Sequence, residues 1–278
     1  MESALIPKIS VVTACFNHGK YIGEMIESVL NQTFQKLELI IVNDGSTDNT
    51  RQILDEIKHE KIVVLHTEHL GPSHARNTAI KNARAQIILN LDADDKIAFD
   101  LLEKGYNVLS EDHNIGIVYT NCRYFGTKTG NMRNGVYSIK GMLSGNKIVS
   151  AAFFRKEDWE KTGGYSERFI YGLEDWDLWL SIIELGRKVI KIPDSMVYYR
   201  TYNKMAGSRS GSRKSDRMMA EYSNALIFER HRELYYQFPD LFKKYSNNTS
   251  RTLSESFPER LYRNIVFLIK QKVSFLIR

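Results

Sequence analysis

Through residue 91 the chain alternates short β-rich apolar runs with runs of helical period, and this alternation constrains the fold more than any other feature. Ile9 to Ala14 closes on the turn-forming Cys15-Phe16-Asn17-His18-Gly19, after which Ile22, Met25, Ile26, Val29 and Leu30 recur at helical spacing. Leu37 to Val42 closes on Asn43-Asp44-Gly45-Ser46-Thr47-Asp48, and Ile53, Leu54 and Ile57 mark the next helix face. Ile62 to Leu65 is a third strand. Pro72 then opens a helix with the small apolar face Ala75, Ala79, Ile80 and Ala83, and Ile87 to Leu91 is a fourth strand. Strands and helices in this order imply a parallel sheet covered on both faces, in which ligands gather at the carboxyl ends of the strands. Thr13 to Asn17, Asn43 to Ser46 and Asp92 to Asp95 each follow such an end, so these loops are expected to converge on one crevice.

The last of them, Asn90-Leu91-Asp92-Ala93-Asp94-Asp95, follows its apolar run with no turn residue between. In extended backbone Asp92 and Asp94 share a face. Two carboxylates so spaced suit a hard cation, Mg2+ or Mn2+, that takes its other ligands from water and phosphate oxygens. The alternative is a solvated loop whose last Asp caps a helix. A second acidic block, Gly172-Leu173-Glu174-Asp175-Trp176-Asp177, leads into Leu178, Trp179, Ile182, Ile183 and Leu185 at helical spacing. Carboxylates in a first helical turn are favoured by the helix dipole even without a catalytic role. Gly163-Gly164-Tyr165 upstream reads as a tight turn where backbone approaches something closely.

Beyond residue 91 the alternation lapses. Leu101, Leu102, Val108 and Leu109 suggest a helix, Ile115 to Thr120 a strand, Tyr124 to Ile139 a hairpin turning near Thr129-Gly130-Asn131, and Ile148 to Phe154 a further strand. This mixed second half, with no glycine-rich phosphate fingerprint after the first strand, argues against a dinucleotide-binding fold of two equal halves.

A chain of 278 residues can bury one substantial core. Its 42% hydrophobic and 26% charged residues are ordinary for a soluble protein, and no stretch reaches the ~18 apolar residues of a membrane span. Met1 to Lys8 lacks the apolar run of a signal peptide, and the two cysteines, Cys15 and Cys122, lie in or beside apolar runs without metal-ligand spacing. A reducing cytoplasm is the expected setting. The net charge of +6 suits an anionic partner. Nucleic acid is set aside, because the 15 tyrosines are not interleaved with Lys and Arg on an identifiable sheet face.

Taken together these stretches resemble the family 2 glycosyltransferases of the GT-A fold, an α/β architecture with a Rossmann-like mixed sheet flanked by helices, from about Lys8 to about Arg200. Six blocks match in order: Ile9 to Asn17 is similar to the family's opening, Ile41 to Asp48 to its nucleotide-binding turn, Ala75-Arg76-Asn77 to a third block and Leu91 to Asp95 to its metal motif. Gly163-Gly164-Tyr165 and Glu174 to Leu178 match its acceptor-side blocks. The resemblance implies an inverting enzyme that moves a sugar from a nucleotide-sugar donor, by default a uridine diphosphate sugar, to a hydroxyl of a glycan or lipid-linked acceptor, with Mn2+ or Mg2+ as cofactor. It implies that Thr13, Asp44 and Arg76 contact the nucleotide, that Asp92 reaches the ribose or the metal's water shell, that Asp94 ligates the metal and that Asp175 is the base, with Glu174 the rival candidate. Near Tyr199-Arg200 the family often continues to a His, whereas this chain has Thr201-Tyr202-Asn203, which leaves the third metal ligand open. A non-catalytic nucleotide-sugar or carbohydrate-binding module on the same fold is the alternative function.

The expected division is a catalytic domain over residues 1–205 and a helical extension over 206–278. Asn203 to Ser215, rich in Gly, Ser, Lys and Arg, reads as a loop that closes over the diphosphate or as a linker. Helical spacing returns from Arg217 to Phe238, Tyr245 to Pro258 reads as a polar linker, and Leu261, Ile265, Leu268, Ile269, Val273 and Leu276 among basic residues give the tail a basic amphipathic pattern. That pattern suits either an anionic membrane surface or packing against the core or a partner chain.

Overall fold

The computed structural model describes residues 6–132, 135–202 and 214–252. The chain divides into two compact units, residues 1–208 and 209–278. In the first unit the expected alternation is realised as β1 (Ile9–Cys15), α1 (Ile22–Leu30), β2 (Leu37–Asp44), α2 (Thr50–Asp55), β3 (Ile62–Thr67), α3 (Pro72–Asn82) and β4 (Ile87–Asn90). These strands pair in parallel, β2 with β3 and β1 with both β2 and β4. β1 and β2 are buried almost throughout, as strands covered on both faces must be, and Ile22, Met25 and Val29 seat α1 on the sheet.

The second half adds β5 (Lys96–Ile97), α4 (Leu101–Glu111), β6 (Ile115–Gly126), β7 (Gly130–Asn131), α5 (Ile139–Ser144), β8 (Phe153–Arg155), α6 (Lys156–Thr162), α7 (Glu174–Glu184) and β9 (Lys188–Thr201). Among the described residues the sheet runs β3-β2-β1-β4-β8-β6-β9-β5, with β7 off β6. β8 lies antiparallel to β4 and β6, so the sheet is parallel on one side and mixed on the other. Of the strand expected over Ile148 to Phe154 only the last residues pair, because Ser150 turns to Asn90 instead.

α6 and β9 are not signalled by the sequence pattern. β9 pairs in parallel with β6, but its register jumps so that Thr120 faces Ile192 and Asn121 faces Met196. The extra residues Pro193, Asp194 and Ser195 form a bulge, which Thr120 Oγ1 closes by donating to Ile192 O and Ser195 O. Proline inside the run and loss of alternation hide the strand.

The second unit contains α8 (Lys214–Arg230), α9 (Arg232–Tyr236) and α10 (Pro239–Thr252). The linker expected from Tyr245 is helix as far as Thr252, because Tyr245 packs on Tyr235 and Thr249 is buried on the same side. The residues from Asn203 to Arg213 and the tail from Arg260 to Arg278, for which a closing loop and a membrane-binding helix are expected, lie outside the described residues. Among the described residues no helix is long and apolar enough to cross a membrane.

Candidate active site

The loops after β1, β2 and β4 meet. Asn17, in the left-handed region at φ +57°, accepts the Thr47 N–H at 2.7 Å through Oδ1, and its own N–H donates to Ser46 Oγ at 3.0 Å. Gly19 N donates to Asp48 Oδ2, and a Cβ at Gly19 would lie 2.3 Å from Asn49 Oδ1, so a larger residue would have to push that side chain aside. The third loop joins through His18, whose Nε2 lies 3.9 Å from Asp94 Oδ2.

Asp44, at the end of β2, is buried with its carboxylate held by Thr67 at the end of β3 and by the loop that leads to α3. Oδ1 accepts from Leu70 N at 2.9 Å and Thr67 Oγ1 at 3.3 Å, while Oδ2 accepts from Gly71 N at 2.9 Å and lies 3.2 Å from His69 Nδ1. Three of the about four lone-pair sites of a carboxylate accept hydrogen bonds here, and His69 Nδ1, bonded to Asp44 O at 3.0 Å, stands beside the fourth. The His69 ring also stacks on Phe16 at 4.0 Å between centroids, so a planar ring rests on the aromatic face beside Asp44. The Thr13 side chain is not exposed to the crevice: it is buried, with Oγ1 4.0 Å from Met25 Sδ under α1.

Arg76 joins the two acidic blocks. Pro72 at the start of α3 and Gly71 before it at φ +96° set the helix so that Ser73, Arg76 and Asn77 share a face toward the second half of the unit. Arg76 Nη1 donates to Glu174 Oε1 at 2.6 Å and Nη2 to Asp92 Oδ1 at 2.9 Å, and the guanidinium lies 5.5 Å from the Tyr165 ring centre. Its exposure is only 6%. Beside it Asn77 donates to Tyr165 O at 2.8 Å and accepts from Tyr165 N at 2.9 Å and Trp159 Nε1 at 3.1 Å. The Gly163-Gly164 turn is therefore close to the protein itself: both residues have positive φ, and a Cβ at Gly164 would meet Trp159 Nε1 at 2.7 Å and Asn77 Oδ1 at 2.9 Å.

Asp175 is the second residue of α7, which Glu174 opens directly after Gly172 at φ +97° and Leu173 at φ +75°, a left-handed pair that turns the chain sharply into the helix. Its Oδ1 accepts the Trp176 N–H at 2.7 Å and its Oδ2 accepts Asn146 Nδ2 at 3.1 Å. Burial, then the Glu174 carboxylate beside it, push Asp175 up to about 7, against the pull of Arg76. A carboxylate at that value is matched to accepting a proton near neutral pH. α7 itself is anchored by Trp179, which is fully buried with its ring 5.7 Å from that of Phe154.

At the metal motif, Asp94 Oδ2 accepts the Tyr202 phenol, and Asp94 O accepts Arg200 Nε at 2.8 Å. Asp95 is buried and accepts Arg200 N at 2.8 Å, and burial followed by the charges of Asp92 and Asp94 raises it well above the usual carboxylate range. Arg200 thus braces the loop, with its guanidinium between the Tyr21 ring at 4.6 Å and the Phe125 ring at 4.3 Å. Among the described residues no three His, Cys, Asp or Glu assemble as a closed metal cluster. The Asp94 carboxylate fits a hard cation that keeps most of its ligands in water and phosphate, whereas the Tyr202 phenol, held protonated by burial and by its bond to Asp94 Oδ2, is a poor ligand. His18, Asn146, Tyr202 and Arg200 join the site only through tertiary contacts, and none of their positions carries a spacing signal.

The model of the family described as Glycosyl transferase family 2 matches residues 10–171. Chondroitin synthase of Escherichia coli is 32% identical over 187 residues, 65% of this chain, and the chain spans only 27% of that protein's length. Over nearly full length it is similar to the UDP-Glc:alpha-D-GlcNAc-diphosphoundecaprenol beta-1,3-glucosyltransferase WfaP of Escherichia coli, 29% identical over 84% of this chain and 94% of that one. In fold it is similar to S. aureus TarS 1–349, solved with UDP-GlcNAc, at a TM-score of 0.64 and 19% identity over 88% of this chain and 73% of that one. The family match covers more than half of the chain, and Arg76 draws the two acidic blocks together: this chain belongs to glycosyl transferase family 2, with the GT-A fold.

Proposed function

We propose that the chain transfers a sugar from a nucleotide diphosphate sugar, by default a UDP-sugar, to a hydroxyl of a glycan or lipid-linked acceptor, with inversion in a single displacement. The observation that carries this reading is the Arg76 fork, which sets the metal motif and the carboxylate block of α7 across one guanidinium. Relatives named for polysaccharide and lipid-diphosphate-linked substrates support the acceptor class. The catalytic domain is residues 1–205 and the helical extension 206–278.

In this reading Asp44 receives the nucleobase, Thr13 supports the pocket floor from beneath, and Arg76 and Asp92 hold the ribose and diphosphate side. Asp94 would hold Mn2+ or Mg2+, the third ligand being left open by Tyr202 where the family often has a His, and a bound cation would offset charge on the diphosphate. A neighbour in fold, a Pyrobaculum calidifontis mannosyltransferase, was solved with GDP-Man and Mn2+. Asp175 takes the proton of the acceptor hydroxyl as the new bond forms, and Glu174, engaged by Arg76, holds the guanidinium in place. The basic tail after Pro258 rests on an anionic membrane at the cytoplasmic face, where a lipid-linked acceptor would be met. Sedimentation with anionic liposomes should fall on its removal while hydrolysis of soluble donor persists; equal sedimentation contradicts the membrane role.

The experiment for the whole reading is release of nucleoside diphosphate across a panel of nucleotide sugars, with and without Mn2+. Stimulated release from a UDP-sugar supports it. Donor binding without release in the presence of acceptor extracts would support the non-catalytic module instead.

A further inference from the structure

Between α5 and β8 runs a strap pinned at both ends. At one end Trp176 Nε1 donates to Met142 O at 2.9 Å. At the other Asn90, two residues before Asp92, donates through Nδ2 to Ser150 Oγ at 2.8 Å and Ser150 O at 3.2 Å. Asn146 sits between these pins. Its Oδ1 accepts the Ile148 N–H at 3.0 Å, which fixes the orientation of the amide and turns Nδ2 to Asp175 Oδ2 at 3.1 Å. The strap therefore ties the carboxylate of α7 to the end of the strand that carries the metal motif.

We propose that Asn146 is a positioning residue for transfer: it holds the Asp175 carboxylate in the rotamer that meets the acceptor hydroxyl and favours its charged form. The inference rests on Asp175 being the base. An amide N–H donated to a carboxylate stabilises the ionised state. The other groups facing Asp175 are Glu174 on its own helix and Asp92 after β4, which disfavour ionisation, Arg76 on α3, which favours it, and the Tyr165 phenol before α7. With burial and the Trp176 N–H, that balance leaves Asp175 at about 7, and the amide donor on Oδ2 adds to the side that favours charge.

The test is the pH profile of kcat/KM for transfer by the full chain, in Asn146→Ala and Asn146→Asp. The acid limb should move up by about one unit in Asn146→Ala and further in Asn146→Asp, which puts a like charge against Asp175. At pH 6.5 the Ala variant should lose about tenfold in kcat with donor KM within twofold, and its rate should approach wild type above pH 8.5. A loss equal at every pH, or an unmoved acid limb, overturns the inference. Asp175→Asn run in parallel separates the two levels. If Asp175→Asn transfers normally the base assignment fails, whereas a dead Asp175→Asn with unshifted Asn146 variants removes only the role of Asn146.

Discussion

Arg76 and Glu174, 98 positions apart, meet at 2.6 Å, and the same guanidinium reaches Asp92 at 2.9 Å. Burial would disfavour the cation, but the Asp92 and Glu174 carboxylates hold it charged. Arg76→Ala leaves two carboxylates facing each other without compensation. The expected cost is about 3 to 5 kcal/mol of unfolding free energy, measured by urea denaturation. Glu174→Gln, which keeps an acceptor for Nη1, should cost less than half of that. Equal losses would mean that charge, not the fork, carries the contact.

The charge state of Asp175 should be visible in stability as well as in rate. Its folded value of about 7 exceeds its ordinary 3.8, so between those values the folded chain keeps a proton that the unfolded chain has released. Unfolding free energy must then fall as pH rises through that window. Asp175→Asn should flatten this slope and raise stability at pH 8 by about 1 to 3 kcal/mol, after discounting for partial exposure. Thermal melts from pH 4 to pH 8 check it, and an unchanged slope would place Asp175 in a more solvated setting.

At the metal motif the two neighbours should separate. Asp94 is partly exposed and gives up only the Tyr202 phenol when truncated, so Asp94→Ala should abolish cation-dependent donor binding by calorimetry and lower the melting temperature by no more than about four degrees. Asp95 is buried on the Arg200 N–H, so Asp95→Ala should cost about 1 to 3 kcal/mol through the unpaired donor. Unchanged cation titration in the Asp94 variant would remove the loop as the metal site.

Much of this arrangement is readable in the chain. Strand ends and helix starts through β4 follow apolar periodicity, and each acidic block announces itself by density of carboxylates. What the sequence does not carry is pairing. Arg76 is marked only by its match to a nucleotide block until Glu174 is brought to it, the Gly163-Gly164 turn reads as a close backbone approach with no partner named until Asn77 and Trp159 fill the space, and β9 is hidden by Pro193 and its bulge. Contacts made across about a hundred residues leave no local trace.

His69 stacks on Phe16 and lies 3.2 Å from Asp44 Oδ2, so under the proposal that Asp44 receives the nucleobase the imidazole stands in the place of the base. A base can take that place only as the imidazole leaves it. His69→Ala should therefore tighten UDP binding by about three- to tenfold, read by calorimetry at fixed pH and salt. Weaker binding would mean that His69 closes over the base rather than standing in for it.

The Gly163-Gly164 turn offers a test of the α3 clamp. Gly164→Ala combines a left-handed φ of +79° with a Cβ 2.7 Å from Trp159 Nε1, so about 2 to 4 kcal/mol should be lost. Gly163→Ala, with φ +82° but open space, should lose about 1 kcal/mol. Equal costs would show that the contact with Asn77 is dispensable.

The most direct measurement is transfer by Asp175→Asn to a working acceptor, with donor and cation affinity measured on the same protein. With Asp175 as the base, affinities should stay within twofold of wild type and the transfer rate should fall by a factor of about 10² to 10⁴. Wild-type turnover in Asp175→Asn, above all with collapse in Glu174→Gln, would contradict it.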